Sequence, residues 1–258
     1  MPPVRHNARA ARSTLRVVRN AAYVAGRKRL ARWSTLIGVA FLGTTFWLAT
    51  DPALILFAYA LMLGGYVLFS FGLRELAKYN ARNDLRIETL LKGLGDRYAL
   101  VHYGQVGKRT VDHTLVYPGG VLVLTARELP GTISYRNGRW RKRTRGFGRL
   151  LSLGGPQLGD PSRETQANVD ALSAFLTEAG FAVEVDGAIV FLSSQVNLDV
   201  EEPDFPVTNA DGLPELVRDL PTEAAWRSTD RDALLALFTG GEASEQPVAA
   251  PRRRPVKR

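Results

Sequence analysis

The feature that most constrains this chain is a stretch of forty residues, 34–73, that contains one charged side chain, Asp51. A helix needs roughly 20 mostly apolar residues to cross a hydrocarbon core about 30 Å thick. The stretch therefore predicts a transmembrane hairpin of two helices, 34–50 and 52–73. Asp51 is expected to cap the second helix, where Pro52 suits the first turn. A buried hairpin of a soluble protein is the alternative, but helices that are apolar on all sides need a large core to cover them.

Basic residues flank this stretch on both sides. Residues 1–33 contain nine Lys or Arg and no acidic residue, and Arg74, Lys78, Arg82 and Arg86 follow the second predicted helix. Because cytoplasmic segments of membrane proteins carry the excess of Lys and Arg, we expect both termini in the cytoplasm and the chain in the cell (inner) membrane. An organelle transit peptide is the alternative interpretation of an Arg-rich, acid-poor N-terminus.

The N-terminal arm, residues 1–33, has a helical spacing of cations. Four arginines recur at intervals of three and four residues: Arg9, Arg12, Arg16 and Arg19. On a helix they would share one face and could contact anionic headgroups at the membrane surface. A disordered basic arm that only enforces topology is the other interpretation. At the opposite end, residues 241–258 are rich in Pro, Ala and Arg and are predicted to be a disordered basic tail.

Residues 78–240 are long enough for one soluble core. They predict a helix at 83–94, strands at 99–105, 110–117 and 120–127, a hairpin around Asn137-Gly138, a helix at 161–179, a strand at 183–192, and short helices at 213–220 and 231–238. This order is an α-β-β-β-α-β arrangement, typical of an α/β sheet with covering helices. The chain has no cysteine, which excludes disulfides, cysteine catalysis and thiolate metal sites.

Several short motifs follow one another along this domain. They are Glu88 in the first helix, Val111-Asp112-His113, Pro118-Gly119-Gly120, Gly131 with Trp140, and Asp160-Pro161 followed by Gln166. In this order the chain resembles the nuclease-related domain (NERD) family, whose core is similar to that of restriction-endonuclease-like nucleases. The resemblance implies that fold over about residues 87–220. It also implies a metal-dependent nuclease site that includes Glu88, Asp112 and Gln166.

The catalytic motif of that family is absent. In such nucleases two acidic groups on adjacent strands hold a divalent cation, and a lysine two residues beyond the second acid helps to stabilise charge on the phosphate. The family has Glu-Thr-Lys at the end of the third strand, where this chain has Leu124, Thr125 and Ala126. The resemblance therefore implies an inactive domain, a pseudoenzyme, with Glu88, Asp112 and Gln166 as relicts and no required cofactor.

A rearranged site is the alternative. Asp112 with Glu88 is the candidate metal pair, because Mg²⁺ prefers oxygen ligands. Glu128 could instead complete the site, although it lies at or beyond the end of the third strand. Arg127 is expected to face away from Leu124 and Ala126, because side chains alternate along a strand.

A second candidate site is a run of cations around the predicted hairpin. Its members are Arg136, Arg139, Arg141, Lys142, Arg143, Arg145 and Arg149, interleaved with Tyr135, Trp140 and Phe147. Such a patch suits single-stranded nucleic acid, through phosphate contacts and base stacking, and it suits anionic lipid headgroups equally well. A solvated hairpin whose tryptophan packs inward is the structural interpretation.

Three functions are consistent with these features. The first is an inactive membrane-anchored domain that binds nucleic acid, lipid or a protein partner as a scaffold. The second is a metal-dependent nuclease with a rearranged site. The third is a structural membrane protein that associates through the small residues Gly38, Gly43, Gly64 and Gly65 within the bilayer.

Overall fold

The computed structural model describes residues 15–80, 82–143, 157–223 and 228–238. Two long helices, α1 (Ala21–Leu48) and α2 (Ile55–Asn80), make the N-terminal region mostly helical. A sheet-containing domain follows them, so the protein is a mixed α/β structure.

The connection between the two helices follows the local sequence. A short 3-10 helix, Pro52–Leu54, precedes α2. The Asp51 carboxylate accepts a hydrogen bond from the Ala53 N–H at 2.9 Å, so the predicted cap is confirmed. Proline at this position leaves no N–H group unsatisfied. The turn reverses the chain within a few residues and lets α1 and α2 pack antiparallel.

Glycine allows α1 and α2 to approach closely. A Cβ atom at Gly38 would lie 2.6 Å from the backbone nitrogen of Phe69, and one at Gly65 would lie 3.1 Å from the Gly38 carbonyl oxygen. A side chain at Gly38 would therefore push the helices apart. Gly43 and Gly64, by contrast, have no heavy atom within 4 Å of such a Cβ. Two of the four predicted association glycines thus serve contact within the chain.

The helical region exposes the largest apolar surface of the described residues. Among the described residues, all large apolar side chains with high exposure lie between Leu30 and Leu73, and Phe46 and Leu56 are each 80% exposed. One helical stretch of the described chain, within Pro52–Leu91, is long and apolar enough to cross a membrane. It contains α2. The first half of α1 carries basic residues, so the second predicted span has a candidate helix and the first has none on this criterion.

The main sheet has six strands in the order β1-β2-β3-β4-β7-β9. Their bounds are Arg16–Arg19 (β1), Ala99–Val106 (β2), Arg109–Tyr117 (β3), Gly120–Arg127 (β4), Val185–Phe191 (β7) and Val207–Asn209 (β9). The central strands β2, β3 and β4 are antiparallel to their neighbours within this trio, and β1, β7 and β9 add in parallel. The start of β3 and the end of β4 therefore lie at the same end of these two central strands, next to the C-terminal end of α2.

The prediction of a helical face that includes Arg16 and Arg19 is wrong. These residues begin and end β1, which pairs in parallel with β2 at the edge of the sheet. Val17 and Val18 are buried between them. Two adjacent β-branched residues fit the pleated surface of a sheet, and the edge of β2 offers the backbone partners. Arg9 and Arg12 lie outside the described residues.

The second sheet has three strands in the order β6-β5-β8, with bounds Gly131–Arg136 (β5), Arg139–Arg143 (β6) and Val196–Val200 (β8). Asn137 and Gly138 connect β5 to β6 with φ values of 52° and 70°. Two successive positive φ values are what a two-residue type I′ hairpin requires, and the predicted hairpin is confirmed.

Helices cover both faces of the main sheet. They are α3 (Asn83–Leu91), α4 (Pro161–Glu178), α5 (Leu213–Arg218) and α6 (Ser228–Phe238). One core lies between the sheet and α3 with α5, and a second lies between the sheet and α4 with α6. A third cluster, which includes Ile133 and Phe191, fills the space under the second sheet.

Candidate functional site

A pocket of about 310 Å³ lies where the C-terminal end of α2 meets the start of β3 and the end of β4. It is lined by charged residues from α2, β3, β4, the position directly after β4, and α4: Arg74, Glu75, Lys78, Asp112, Arg127, Glu128 and Glu164. Ala126 and Gln157 are also in the lining. This is the position at which the family resemblance expects the nuclease site, because Asp112 and the lost motif at Leu124 and Ala126 belong to β3 and β4.

Asp112 is bonded to a lysine from α2. Lys78 Nζ lies 2.8 Å from Asp112 Oδ2, and the two side chains are 47% and 27% exposed. Burial acts to lower the pKa of Lys78, but the nearby Asp112 carboxylate outweighs it, so the pKa lies above its ordinary value. Lys78 therefore stays charged and neutralises the carboxylate that would otherwise be available to a cation.

Glu88 does not line the pocket with Asp112. Its carboxylate is paired with Arg19 from β1, and one of its oxygens lies 3.3 Å from His102 Nε2. Burial acts to raise the pKa of Glu88, but the combined effect of His102 and Arg19 is larger and opposite. The pKa of Glu88 therefore lies below its ordinary value. The predicted metal pair of Asp112 and Glu88 is therefore split, with each carboxylate held by its own cation.

Two buried histidines separate these carboxylates. His102 Nδ1 lies 2.8 Å from His113 Nδ1, so one ring donates this hydrogen bond and the other accepts it. Both rings have at most 3% of their surface exposed. Burial, together with the proximity of His102 and Lys78, places the pKa of His113 well below its ordinary value. His113 is thus a neutral core residue, consistent with the packed role expected from the sequence.

The remaining carboxylates of the pocket are paired in the same way. Arg86 of α3 lies 2.6 Å from Glu128, and Arg127 is paired with Glu164 of α4. At the α2 side, Arg27 of α1 lies 2.7 Å from Glu75. Leu124 is fully buried in the core on the α3 side of the sheet, whereas Arg127 reaches α4, so the predicted alternation along β4 is observed.

The donor set of this pocket does not fit a nuclease metal ion. Magnesium needs several oxygen ligands that converge on one point. The carboxylates here are instead each bonded to a lysine or arginine. Among the residues that the structure describes, no group of three His, Asp or Glu side chains is placed to hold a metal.

Gln166, the third predicted relict, lies away from the pocket. It is on α4, where its amide donates a hydrogen bond to Asp170 Oδ1 at 2.7 Å. Asp160, also part of the family motif, caps the same helix by accepting from the Arg163 N–H at 3.1 Å. Both residues stabilise α4 locally.

The basic hairpin, β5 and β6, is divided into two faces. Trp140 points inward, where Nε1 donates to Ser162 Oγ at 2.9 Å and the ring packs 5.7 Å from that of Phe191. Tyr135 is also buried and donates its hydroxyl to Asp204 at 2.6 Å. The proposed stacking of bases on these aromatic rings is therefore wrong for Tyr135 and Trp140.

The cations of the hairpin are correspondingly split. Arg136 is bonded to Asp199 and Glu201, at 3.0 and 3.1 Å. Arg139, Arg141 and Arg143 are exposed and alternate with the partly covered Trp140 and Lys142. They line a shallow groove of about 730 Å³. Arg145, Arg149 and Phe147 lie outside the described residues.

Two arginines assigned to the membrane surface make ion pairs with the domain instead. Arg16 lies 2.5 Å from Asp232 of α6, and Arg19 pairs with Glu88 and lies 3.2 Å from Asp84. Because these carboxylates belong to the sheet-containing domain, Arg16 and Arg19 fix β1 to that domain.

Sequence reasoning missed the cations that occupy the site. In the sequence Lys78 and Arg86 indicate only membrane topology, and no motif marks Glu164. The pattern of basic residues after Leu73 gives no indication of which acid each one meets, because the pairs join residues that are distant along the chain.

The comparisons with known proteins bear on the same region. Residues 71–192 match the family model described as nuclease-related domain. No curated protein and no solved structure gives a significant match. The match begins in α2, before Lys78, and ends just after β7, so it contains the pocket and both strands that form it. The resemblance to the nuclease-related domain (NERD) family is thus confirmed over residues 71–192.

Proposed function

We propose that the chain is an integral membrane protein that presents a nuclease-related domain at the cytoplasmic side of the cell membrane. The band of exposed apolar side chains on α1 and α2 supports this anchor, because soluble proteins rarely expose so large an apolar patch. The basic residues at both ends of the apolar band support cytoplasmic termini. In this proposal residues 34–50 and 52–73 both cross the bilayer.

We further propose that the domain binds or scaffolds a partner and does not cleave nucleic acid. The observation that carries this proposal is the set of ion pairs around the pocket, above all that of Lys78 with Asp112. A cation from α2 already compensates the carboxylate on which metal-dependent hydrolysis would depend. The family positions for the second acid and the lysine are apolar in this chain, at Leu124 and Ala126.

Cleavage by the full chain tests this proposal directly. The chain is purified in detergent and incubated with plasmid and single-stranded DNA, with Mg²⁺ or Mn²⁺ and with EDTA. Asp112→Asn is assayed beside it to reveal contaminating nucleases, since this variant keeps the size of the side chain. We expect equal, background activity in both proteins. Metal-dependent cleavage that disappears in Asp112→Asn would overturn the proposal.

A rearranged nuclease is the second candidate, and one observation favours it. The pocket brings Lys78, Asp112 and Glu128 together, so a lysine and two acids share one cavity although they come from three different segments. In such an enzyme Lys78→Met and Glu128→Gln would each abolish cleavage. Activity that survives in both variants would exclude this arrangement.

Association in the bilayer is the third candidate. Gly43 and Gly64 have open space around them, so they are available for close approach by a second helix. Gly43→Leu and Gly64→Leu should then shift the chain from dimer to monomer in detergent, measured by light scattering. A monomeric parent protein would exclude this role under those conditions.

A further inference from the structure

The exposed side of β6 carries a regular row of arginines. Arg139, Arg141 and Arg143 lie on one face, since they alternate with Trp140 and Lys142 on the other. Alternate residues of a strand are about 6.8 Å apart. We call these three residues the arginine face.

Hydroxyl groups lie directly across from two of these arginines. The register of β5 and β6 pairs Arg141 with Ser134 and Arg143 with Thr132. Ser134 and Thr132 line the same groove as the arginine face. A guanidinium group beside a hydroxyl donor suits the several acceptor oxygens of a phosphate group.

Within the described residues, the charges of the arginine face are not compensated by nearby acids. Across the described ranges of the chain, no ion pair involves Arg139, Arg141 or Arg143. Asp199, the acid that lines the groove, is bonded to Arg136 at 3.0 Å. Among the described residues that line the groove, four arginines face one aspartate, so the groove is positively charged and its chemical complement is a polyanion.

The position of the arginine face favours a membrane surface as the source of that polyanion. Arg143 pairs with Thr132 across the hairpin. Thr132 follows Glu128 by four residues, so the Cα atoms of Thr132 and Glu128 are at most about 14 Å apart. Glu128 lines the pocket together with Arg74, the first charged residue after the apolar part of α2. One end of the row is thus linked, through Thr132 and the pocket, to the residue at which α2 leaves the proposed bilayer, and the anchor keeps the domain beside the membrane surface.

The orientation of the aromatic rings disfavours single-stranded nucleic acid. Proteins of that class stack bases on exposed aromatic side chains. Tyr135 and Trp140 instead pack into the protein with their polar atoms bonded to Asp204 and Ser162. In the hairpin as the structure describes it, the arginine face offers phosphate contacts without a stacking surface.

From these observations we propose that Arg139, Arg141 and Arg143 bind the phosphate groups of anionic lipids and hold the domain against the membrane that anchors it. The proposal rests on the membrane anchor proposed above. Each basic residue near an anionic surface strengthens attachment by about fivefold. Loss of all three should therefore weaken attachment by about a hundredfold.

Energy transfer to labelled lipid headgroups measures this attachment. The chain has no cysteine, so a single introduced cysteine can carry a fluorophore. Asn197 is exposed on β8 and lies beside Thr132, at the edge of the arginine face. Asn197→Cys is labelled and reconstituted as the full chain into phosphatidylcholine vesicles, with or without an equal part of phosphatidylglycerol. Ser173→Cys, exposed on α4, reports on a different surface of the domain.

We expect transfer from residue 197 to rise in the phosphatidylglycerol vesicles and to fall again with added salt. The triple variant Arg139→Gln, Arg141→Gln, Arg143→Gln should lose the rise, and the corresponding lysine triple should keep most of it. Arg163→Gln, which removes an exposed arginine from α4, should behave like the parent protein. Equal transfer in both vesicle compositions, or a rise that survives in the glutamine triple, would overturn the proposal.

Two further measurements separate the possible failures. Binding of a single-stranded oligonucleotide that requires the three arginines, without any effect of phosphatidylglycerol, would assign the face to nucleic acid and overturn the lipid proposal. Release of the chain from membranes by alkaline carbonate would contradict the proposed membrane anchor but not the proposal for the arginine face. Flotation of the released chain with phosphatidylglycerol vesicles would then support the arginine face if it requires the three arginines, and overturn it if it does not.

Discussion

Lys78 Nζ lies 2.8 Å from Asp112 Oδ2, so the last turn of α2 is bonded to the strand on which a nuclease-related domain would hold its metal ion. This ion pair links the proposed anchor to the proposed relict site. Next to it, the rings of Tyr79 from α2 and Tyr103 from β2 lie 5.7 Å apart. Tyr23 from α1 packs against both rings. The anchor and the domain are therefore packed together, and changes at Lys78 should be felt on both sides.

A double-mutant cycle on Lys78 and Asp112 should give a modest coupling. Both side chains are partly exposed, so solvent screens the pair and we expect about 0.5–1 kcal/mol between Lys78→Met and Asp112→Asn. Unfolding of the full chain in detergent, followed by tryptophan fluorescence, measures it. The pair of Arg136 and Asp199, which is about half exposed on both sides, is the matched control and should give less. A coupling near zero would show that the ion pair between Lys78 and Asp112 does not stabilise the folded chain.

Acid should destabilise the folded chain through His113. Its pKa in the folded chain lies well below the ordinary value because of burial and the nearby His102 and Lys78. An unfolded histidine binds a proton below about pH 6.5 while the folded one stays neutral, so acid favours unfolding. The loss begins near pH 6.5 and grows by at most about 1.4 kcal/mol for each pH unit below it.

Unfolding free energies between pH 5 and 7 test this expectation. His113→Gln cannot titrate, so its stability should depend less steeply on pH than that of the parent chain in this window. The two proteins should have parallel profiles above pH 7, where the histidine is neutral in both states. Equal slopes below pH 6.5 would mean that His113 is protonated as readily in the folded chain as in the unfolded one.

Gly38 should tolerate no side chain. The atoms that a Cβ would meet belong to the backbone of α2, which cannot rotate away. Gly38→Val should therefore destabilise the packing of α1 and α2 by about 1–3 kcal/mol. Gly43→Val makes the same change on the same helix in open space and should be close to neutral. Thermal unfolding in detergent compares the two, and equal effects would argue against this helix contact.

Trp140 should matter for stability and not for binding of anions. Trp140→Phe removes the hydrogen bond to Ser162 and should cost about 1 kcal/mol. Ser162→Ala removes the same bond from the other side, so the double variant should lose less than the sum of the two. Arg141→Gln, on the exposed side of β6, should leave stability nearly unchanged. A loss of vesicle attachment in Trp140→Phe at unchanged stability would contradict this division.

The elements with strong local signals were predictable from the sequence. The Pro118-Gly119-Gly120 turn between β3 and β4 is one, because proline fixes its own φ. The Asn137-Gly138 hairpin is another, because Asn and Gly tolerate the positive φ values that this turn requires. Inward packing of Trp140 was one of the alternatives that the sequence left open, and the structure shows it, with Trp140 opposite Tyr135 across the hairpin.

Contacts between distant segments were not predictable. The strand β1 is four residues long and forms because the edge of β2 is available, whereas its arginines had suggested a helix. The partners of Lys78 and Glu88 depend on how α2, β1 and β3 meet in space, and one sequence carries no signal for such pairs. The sequence shows that the family motif is lost at Leu124 and Ala126. It does not show that Lys78 and Arg86 pair with the remaining acids of the pocket.

The topology of the anchor is open to a direct test, because the chain has no cysteine of its own. Thr50 is exposed in the turn between α1 and the 3-10 helix, and Ser173 is exposed on α4. If both apolar segments cross the bilayer, Thr50→Cys should react with a membrane-impermeant maleimide on intact spheroplasts. Ser173→Cys should react only after permeabilisation. Protection of both cysteines in intact spheroplasts would favour a hairpin that enters the membrane from the cytoplasm without crossing it, and reaction of Ser173→Cys there would reverse the proposed orientation.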